Sequence, residues 1–403
     1  MKKILFLPLL RMQSGHHQVA EALMDMIKNH TNGITIKKID LLSYTNKSLE
    51  KMITSGYLKW IRYAPGTYNL AYKNFFYDTS DKEHSFRWYQ HLFLKKMEQL
   101  VAEEKPDLIV CTHGFPSYLL SKLKSKGKCN VPIINVYTDY FINDFWGKEG
   151  IDYHFLPNQD VKEKLSKQFH IPKQKMFVTG IPVHEEITKS FHQPKQVKRH
   201  KILISGGNSG LGGILKLADD LKQSSHSDYF VLCGNNRKLY DEIVSWGLDY
   251  IKPLPYLSSR LDMNKLYDEV DAIVTKPGGV TISEALQKRL PIFVHSALPG
   301  QEEINLHYLK DQKLVFELTK EKPFEEQLDS ILGNQKVMNR WAQSIHSYHD
   351  EIELEKPERI VELIEWIMAQ KSSRESQSVV TNRRLFLWLG HYYKNKRALV
   401  FRR

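Results

Sequence analysis

Short runs of aliphatic, β-branched and aromatic residues recur along this chain with helical patterns between them, and the rhythm begins twice. In the first half the runs fall at residues 4–9, 34–39, 108–111, 133–137, 153–156 and 176–179. A polar, Lys- and Pro-containing stretch without apolar periodicity follows at 189–200. The second half then restarts at 201–205, 229–233, 250–251, 272–275, 291–295 and 314–316. Short apolar strands separated by helices indicate parallel sheets covered on both faces. Two such series joined by one polar linker predict an α/β chain of two Rossmann-like, doubly wound domains. The expected divisions are 1–188, a linker at 189–200, 201–345, closing helices at 346–370 that cross back to the first domain, and a tail at 371–403.

Composition narrows the class. A 403-residue chain with 41% hydrophobic residues supports two real cores. No run of eighteen apolar residues occurs, so no segment reads as a membrane-spanning helix. The opening apolar run is about seven residues long, meets Arg11 at once and has no small-residue cleavage site, and so reads as a first strand. Three widely spaced cysteines, Cys111, Cys129 and Cys233, fit neither a disulfide framework nor a zinc site. The net charge of +12 calls for an anionic partner. Much of the excess lies in the tail: from Arg374 onward there are eight Lys or Arg and one acid, Glu375. The basic residues form no known nucleic-acid module, so no specific nucleic acid is expected.

Four places carry candidate chemistry. Gly15-His16-His17 opens a helix after the first strand, where the helix dipole disfavours a charged imidazole and a neutral one can serve as a base. The same residues also suit a simple helix start with two surface histidines. Asp139 stands at the carboxyl end of the strand at 133–137, where open α/β sheets bind ligands. It is as suited to holding a loop as to catalysis, as is His113 at another strand end. Ser205-Gly206-Gly207 begins a glycine-rich loop of five glycines in eight residues, able to pack against phosphate or to form a turn. The most specific pattern is Thr275-Lys276-Pro277-Gly278-Gly279-Val280-Thr281, a strand end and tight turn leading into a bare helix N-terminus that favours a diphosphate. Glu284, in the first turns of that helix, is placed to accept two ribose hydroxyls. Gln301 and Glu302, after the next strand, are of the type that reads sugar hydroxyls.

Two further segments mix aromatic and basic residues. Residues 57–93 hold twelve aromatics interleaved with cations, among them Trp60 and Arg62. The tail carries Arg384 and Trp388 in a basic, aromatic stretch too short to span a bilayer. Both suit adsorption to an anionic membrane surface, and the first equally suits a buried core.

Together the Gly15-His16 loop, the stretch from Lys276 to Glu284 and Pro299-Gly300-Gln301-Glu302 resemble the monogalactosyldiacylglycerol synthase and processive diacylglycerol glucosyltransferase family, glycosyltransferase family 28. The resemblance implies a GT-B fold, with an acceptor-binding first domain facing a donor-binding second domain across a cleft. It implies an inverting transfer with no bound metal or other cofactor, from UDP-glucose or UDP-galactose to diacylglycerol or another lipid acceptor, by a peripheral enzyme on the cytoplasmic face of the cell membrane. By residue, it puts His16 at the catalytic-loop histidine, with Asp139 as the other candidate base. Glu284 falls at the ribose, Gly278 and Gly279 beside the diphosphate, Lys276 at a charge-neutralising position, and Gln301 and Glu302 at the hexose. Gly206, Gly207, Pro277, Val280 and Thr281 complete the expected donor site. Gly15, Trp60, Arg62, Arg384 and Trp388 are expected on the acceptor and membrane side. The alternatives left open are a UDP-sugar 2-epimerase and a nucleotide-sugar sensor without catalysis.

Overall fold

The computed structural model describes residues 2–9, 14–45, 87–188, 199–206, 214–224, 226–298 and 300–374. Trp60, Arg62, Gly207, Arg384 and Trp388, with most of the linker and the tail, lie outside the described residues.

The first half supplies β1 (Lys2–Leu7), α1 (Gly15–His30), β2 (Ile34–Lys38), α2 (Leu41–Thr45), α3 (Arg87–Glu104), β3 (Leu108–Cys111), α4 (Gly114–Ser125), β4 (Ile133–Val136), β5 (Tyr153–Leu156), α5 (Gln159–Phe169) and β6 (Met176–Val178). Its six strands are parallel in the order β2-β1-β3-β4-β5-β6. The second half supplies β7 (Lys201–Ser205), α6 (Ala218–Gln223), β8 (Asp228–Leu232), α7 (Arg237–Ser245), β9 (Ile251–Leu254), α8 (Arg260–Glu269), β10 (Ala272–Thr275), α9 (Gly279–Gln287), β11 (Ile292–Val294), α10 (Gln301–Asp311), β12 (Phe316–Glu317), α11 (Phe324–Leu332), α12 (Gln335–Asp350) and α13 (Pro357–Arg374). Its sheet is again six-stranded and parallel, in the order β12-β11-β10-β7-β8-β9. This is the two-sheet α/β architecture that the doubled rhythm predicts.

The central strands are apolar on both faces because helices cover both. Ile4, Leu5, Phe6 and Leu7 of β1 are fully buried, as are Ile202, Leu203 and Ile204 of β7. Most strand ends shift by one to three residues from the runs read in the sequence, and at two of them proline explains the shift. Pro8 has no N–H to give a ladder, so β1 stops at Leu7 rather than Leu9. Pro253 makes the run at 250–251 look finished, yet β9 continues to Leu254. It can do so because β9 is an edge strand, where a missing donor costs no pairing.

The chain crosses between the halves a second time after α12. The backbone N–H of Glu353 donates to the Val178 carbonyl at 2.7 Å, and the Glu353 carboxylate accepts from Val178 N at 3.0 Å and Lys162 Nζ at 2.5 Å. From there α13 lies along α1, burying Ile360, Val361, Ile364, Ile367 and Met368. The last described helix thus completes the core of the first sheet. One apolar cluster runs without a break from Ile4 and Val19 through Tyr140 and Ile181 to Val280 and Ile282.

Candidate active site

Both sheets point the carboxyl ends of their strands at a single cleft, and a cavity of about 330 Å³ lies there. The start of α1 contributes Gly15 and His16, and the loop after β4 contributes Thr138 and Asp139. From the second half come Ser205 after β7, Gly234 after β8, Tyr256 and Leu257 after β9, and Gly278 to Thr281 after β10. The helices add Arg260, Tyr267, Glu284, Gln301, Glu302 and Asn305. A cleft at strand carboxyl ends is where α/β sheets bind ligands.

His16 is half-buried on the first turn of α1. Its Nδ1 stands 2.9 Å from the Thr112 carbonyl oxygen and 2.9 Å from Thr138 Oγ1. A carbonyl only accepts, so Nδ1 carries the proton and Nε2 carries the free lone pair. Burial lowers the His16 pKa below the ordinary imidazole value, and the Asp139 carboxylate pulls the other way. The ring is therefore neutral at pH 7 with its basic nitrogen defined. Its neighbour His17 has a different use. It is buried, and its Nε2 lies 3.0 Å from Asp40 Oδ1. His113 stands edge-on to His16 at 4.6 Å between ring centroids and caps α4, its Nδ1 accepting from Phe115 N at 3.0 Å. Burial holds it well below the usual histidine range.

Asp139 reaches across the cleft. Its Oδ1 accepts from Asn305 Nδ2 at 2.9 Å and its Oδ2 from Gln301 Nε2. Gln301 and Asn305 are four residues apart, on one face of α10. The Asn305 amide also donates to the Pro277 carbonyl at 3.1 Å and accepts from Tyr140 N at 2.9 Å. One amide side chain thus brackets the loop after β4 and the turn before α9. Burial raises the Asp139 pKa, opposed by His16 and the two amide donors.

The turn into α9 is built by glycine. A Cβ on Gly279 would stand 1.9 Å from the Thr138 carbonyl oxygen, so only glycine lets the N-terminus of α9 meet the other half this closely. No side chain caps this helix, which leaves its first N–H groups directed at the cleft. Glu284 is buried, and its Oε2 accepts from the buried Tyr267 hydroxyl at 2.8 Å. Burial raises the Glu284 pKa, and Tyr267 and Arg260 oppose the rise.

The remaining expected residues fall in different places. Gly15, Gly278, Gly279, Val280, Thr281, Glu284, Gln301, Glu302, His16 and Asp139 all line the cavity. Lys276 does not; its Nζ lies 3.7 Å from Glu302 Oε2, an ion pair at the cavity's edge. Glu302 also accepts from Leu298 N at 2.6 Å, so its carboxylate is engaged with its own loop. Pro277 contributes its carbonyl to Asn305 rather than a surface to the cavity, and Ser205 rather than Gly206 faces the space after β7.

Among the cavity residues to which the sequence assigns no role are Arg260, Tyr267 and the bridging Asn305. Arg260 and Tyr267 stand on α8, which carries no glycine turn or motif to mark it. Asn305 was legible in principle, since it follows Gln301 by one helical turn.

Comparison with known proteins bears on the family and the fold. Residues 16–183 match the family model for monogalactosyldiacylglycerol (MGDG) synthase, and residues 187–347 match that for group 1 glycosyl transferases. The uncharacterized glycosyltransferase YkoN of Bacillus subtilis is 39% identical over 369 residues, covering 91% of this chain and 98% of that protein. A processive diacylglycerol beta-glucosyltransferase of Staphylococcus saprophyticus is 28% identical over 311 residues, covering 74% of this chain and 77% of its own. Among solved structures, MurG of Acinetobacter baumannii superposes with a TM-score of 0.59 at 15% identity, over 92% of this chain and all (100%) of that one. The chain is therefore a glycosyltransferase with the GT-B fold. Within that class it belongs to the family of monogalactosyldiacylglycerol synthases and processive diacylglycerol glucosyltransferases.

Proposed function

We propose that this glycosyltransferase moves a hexose, glucose in the first instance, from a UDP-sugar to diacylglycerol or a closely related membrane lipid, with inversion at the anomeric carbon. The observation that carries this reading is the fixed tautomer of His16: a neutral imidazole whose lone pair on Nε2 is held in a cleft that also contains a bare helix N-terminus and a buried carboxylate. In this reading the lipid hydroxyl loses its proton to Nε2 as its oxygen attacks the anomeric carbon from the face opposite the diphosphate. The bond from that carbon to the diphosphate oxygen breaks, and its electron pair leaves with UDP. The Asp139 carboxylate stabilises the imidazolium that forms. With both oxygens taken by Gln301 and Asn305, it is less suited than His16 to be the base. The N–H groups at the start of α9 stabilise the charge growing on UDP, so the step requires no metal. Glu284 Oε1, with Oε2 engaged by Tyr267, is the oxygen offered to the ribose.

Glucose is favoured over galactose by the relatives named as glucosyltransferases. Contact with an anionic membrane is proposed for the basic tail. No helix of the described residues is long and apolar enough to cross a membrane, so adsorption is the route considered. Deleting residues 375–403 is expected to reduce flotation with anionic liposomes, and equal flotation would remove the tail from the reading.

The decisive experiment incubates the chain with labelled UDP-glucose, UDP-galactose or UDP-GlcNAc and mixed lipids, then counts label in the organic phase and identifies the nucleotide sugars left in the aqueous phase. Lipid-borne label that falls about a hundred- to ten-thousand-fold in His16→Ala supports the reading. UDP-ManNAc formed from UDP-GlcNAc, with no labelled lipid from any donor, would establish the epimerase instead. Donor binding without any product would establish a sensor.

A further inference from the structure

The cavity has a charge problem that the expected donor residues do not solve. Three carboxylates line it, Asp139, Glu284 and Glu302. A UDP-sugar would bring at least two further negative charges. Lys276, the cation that the sequence motif offers, stands at the edge beside Glu302, outside the lining. His16 is neutral. Among the described residues that line the cavity, Arg260 alone carries a permanent positive charge.

Arg260 stands at the first position of α8, directly after Ser259, whose hydroxyl accepts from Asp262 N at 3.2 Å and fixes where that helix starts. Its side chain is 28% exposed, and among the described residues its ionic partner is Glu21 Oε2, on α1 of the other half, 3.8 Å away. That separation is too long for a hydrogen bond. Glu21 is itself engaged by Lys38 Nζ at 2.7 Å. The guanidinium is thus held near the cavity with its donors uncommitted to a close partner among the described residues. It is close enough to Glu284 and Tyr267 to favour their charged forms, which sets it beside the carboxylate read above as the ribose acceptor. A nucleotide anchored by its ribose at Glu284 would carry its phosphates past this position toward the start of α9. A planar fork of donors is the side chain best matched to phosphate oxygens.

Resting on the donor reading proposed above, we infer that Arg260 grips the donor's diphosphate, and that Lys276 serves instead to hold Glu302 in its loop. The diphosphate would then lie between the guanidinium on one side and the N–H groups of α9 on the other. Arg260 would also exchange its loose Glu21 partner for phosphate when the donor arrives, so the cleft-spanning ion pair and the donor compete for one side chain.

Calorimetric titration of the full chain with uridine, then UDP, separates the possibilities. The unaltered protein is expected to bind UDP far more tightly than uridine. In Arg260→Gln the affinity for UDP falls about 10- to 100-fold, the range of a charge-assisted pair, while that for uridine stays within about twofold, which also shows that the variant is folded. Arg260→Lys recovers part of the loss, and Lys276→Gln loses less than Arg260→Gln. Two outcomes overturn the inference alone: Arg260→Gln binding UDP as the parent does, or Lys276→Gln showing the larger loss specific to UDP. Equal weakening of uridine and UDP would make Arg260 a structural or nucleoside-side residue and overturns it too. If the unaltered protein binds neither ligand, the donor reading itself fails.

Discussion

In His16, the proposed base, the surroundings rather than the residue type set the chemical character. An isolated imidazole has two tautomers and a pKa near 6.5. Here the Thr112 carbonyl selects the Nδ1 proton, and burial depresses the pKa while Asp139 resists. The pH dependence follows in sign. In the proposed mechanism the deprotonated ring is the base, and its pKa lies below the ordinary imidazole value, so kcat/KM should stay level from about pH 8 down through neutrality and fall only on the acid side of about 6.5. Replacing Asp139 by Asn removes the charge that raises the His16 pKa. The acid limb of the profile should move to lower pH while the plateau drops, because the imidazolium formed in the reaction loses its counter-charge. An unmoved limb in Asp139→Asn would mean that another group titrates there.

At the scale of elements, the N-terminus of α9 is the most demanding piece of local geometry. Gly279→Ala places a methyl 1.9 Å from a backbone carbonyl that cannot rotate aside, so α9 or the loop after β4 must shift. The expected result is a lower thermal midpoint, from about 1 to 3 kcal/mol of overpacking, with weakened UDP binding. Gly278→Ala meets no atom within 4 Å and should change both measurements far less. This contrast marks how much the sequence could say. The Pro-Gly-Gly turn, the helix after it and the alternation of strands were legible because glycine, proline and apolar period act locally. Which glycine faces a carbonyl of the other half was not, since that depends on how two sheets meet. Arg260 was hidden for the same reason: a single arginine at a helix start reads as a surface charge until β9 and β10 bring it to the cleft. Lys276 shows the converse, a motif lysine that the fold turns toward Glu302.

Across the whole molecule, the two halves are joined by side chains as much as by the backbone, and Asn305 is where those links converge. Its amide holds Asp139 and the Pro277 carbonyl, while its oxygen takes Tyr140 N. Tyr140 in turn reaches Ser283 Oγ at 2.8 Å and stacks on Tyr308 at 5.5 Å. The proposed base on the first sheet and the proposed nucleotide-binding elements on the second are therefore linked through Asn305, alongside the Gln301–Asp139 and Tyr140–Ser283 bonds. Asn305→Ala would leave the Tyr140 amide without its partner and free Asp139 from one of its two donors. Domain register should loosen while the residues proposed to hold the nucleotide stay in place on the second sheet. A misplacement of about 1 Å between reacting groups can cost on the order of a hundredfold in rate. The expected outcome is a kcat lowered about 10- to 100-fold with the UDP dissociation constant changed by less than about threefold, read from steady-state turnover and calorimetry on the same preparation. Equal loss in both would make Asn305 part of the donor site, and loss in neither would mean that the apolar cluster through Tyr140, Ile181 and Val280 sets the register alone.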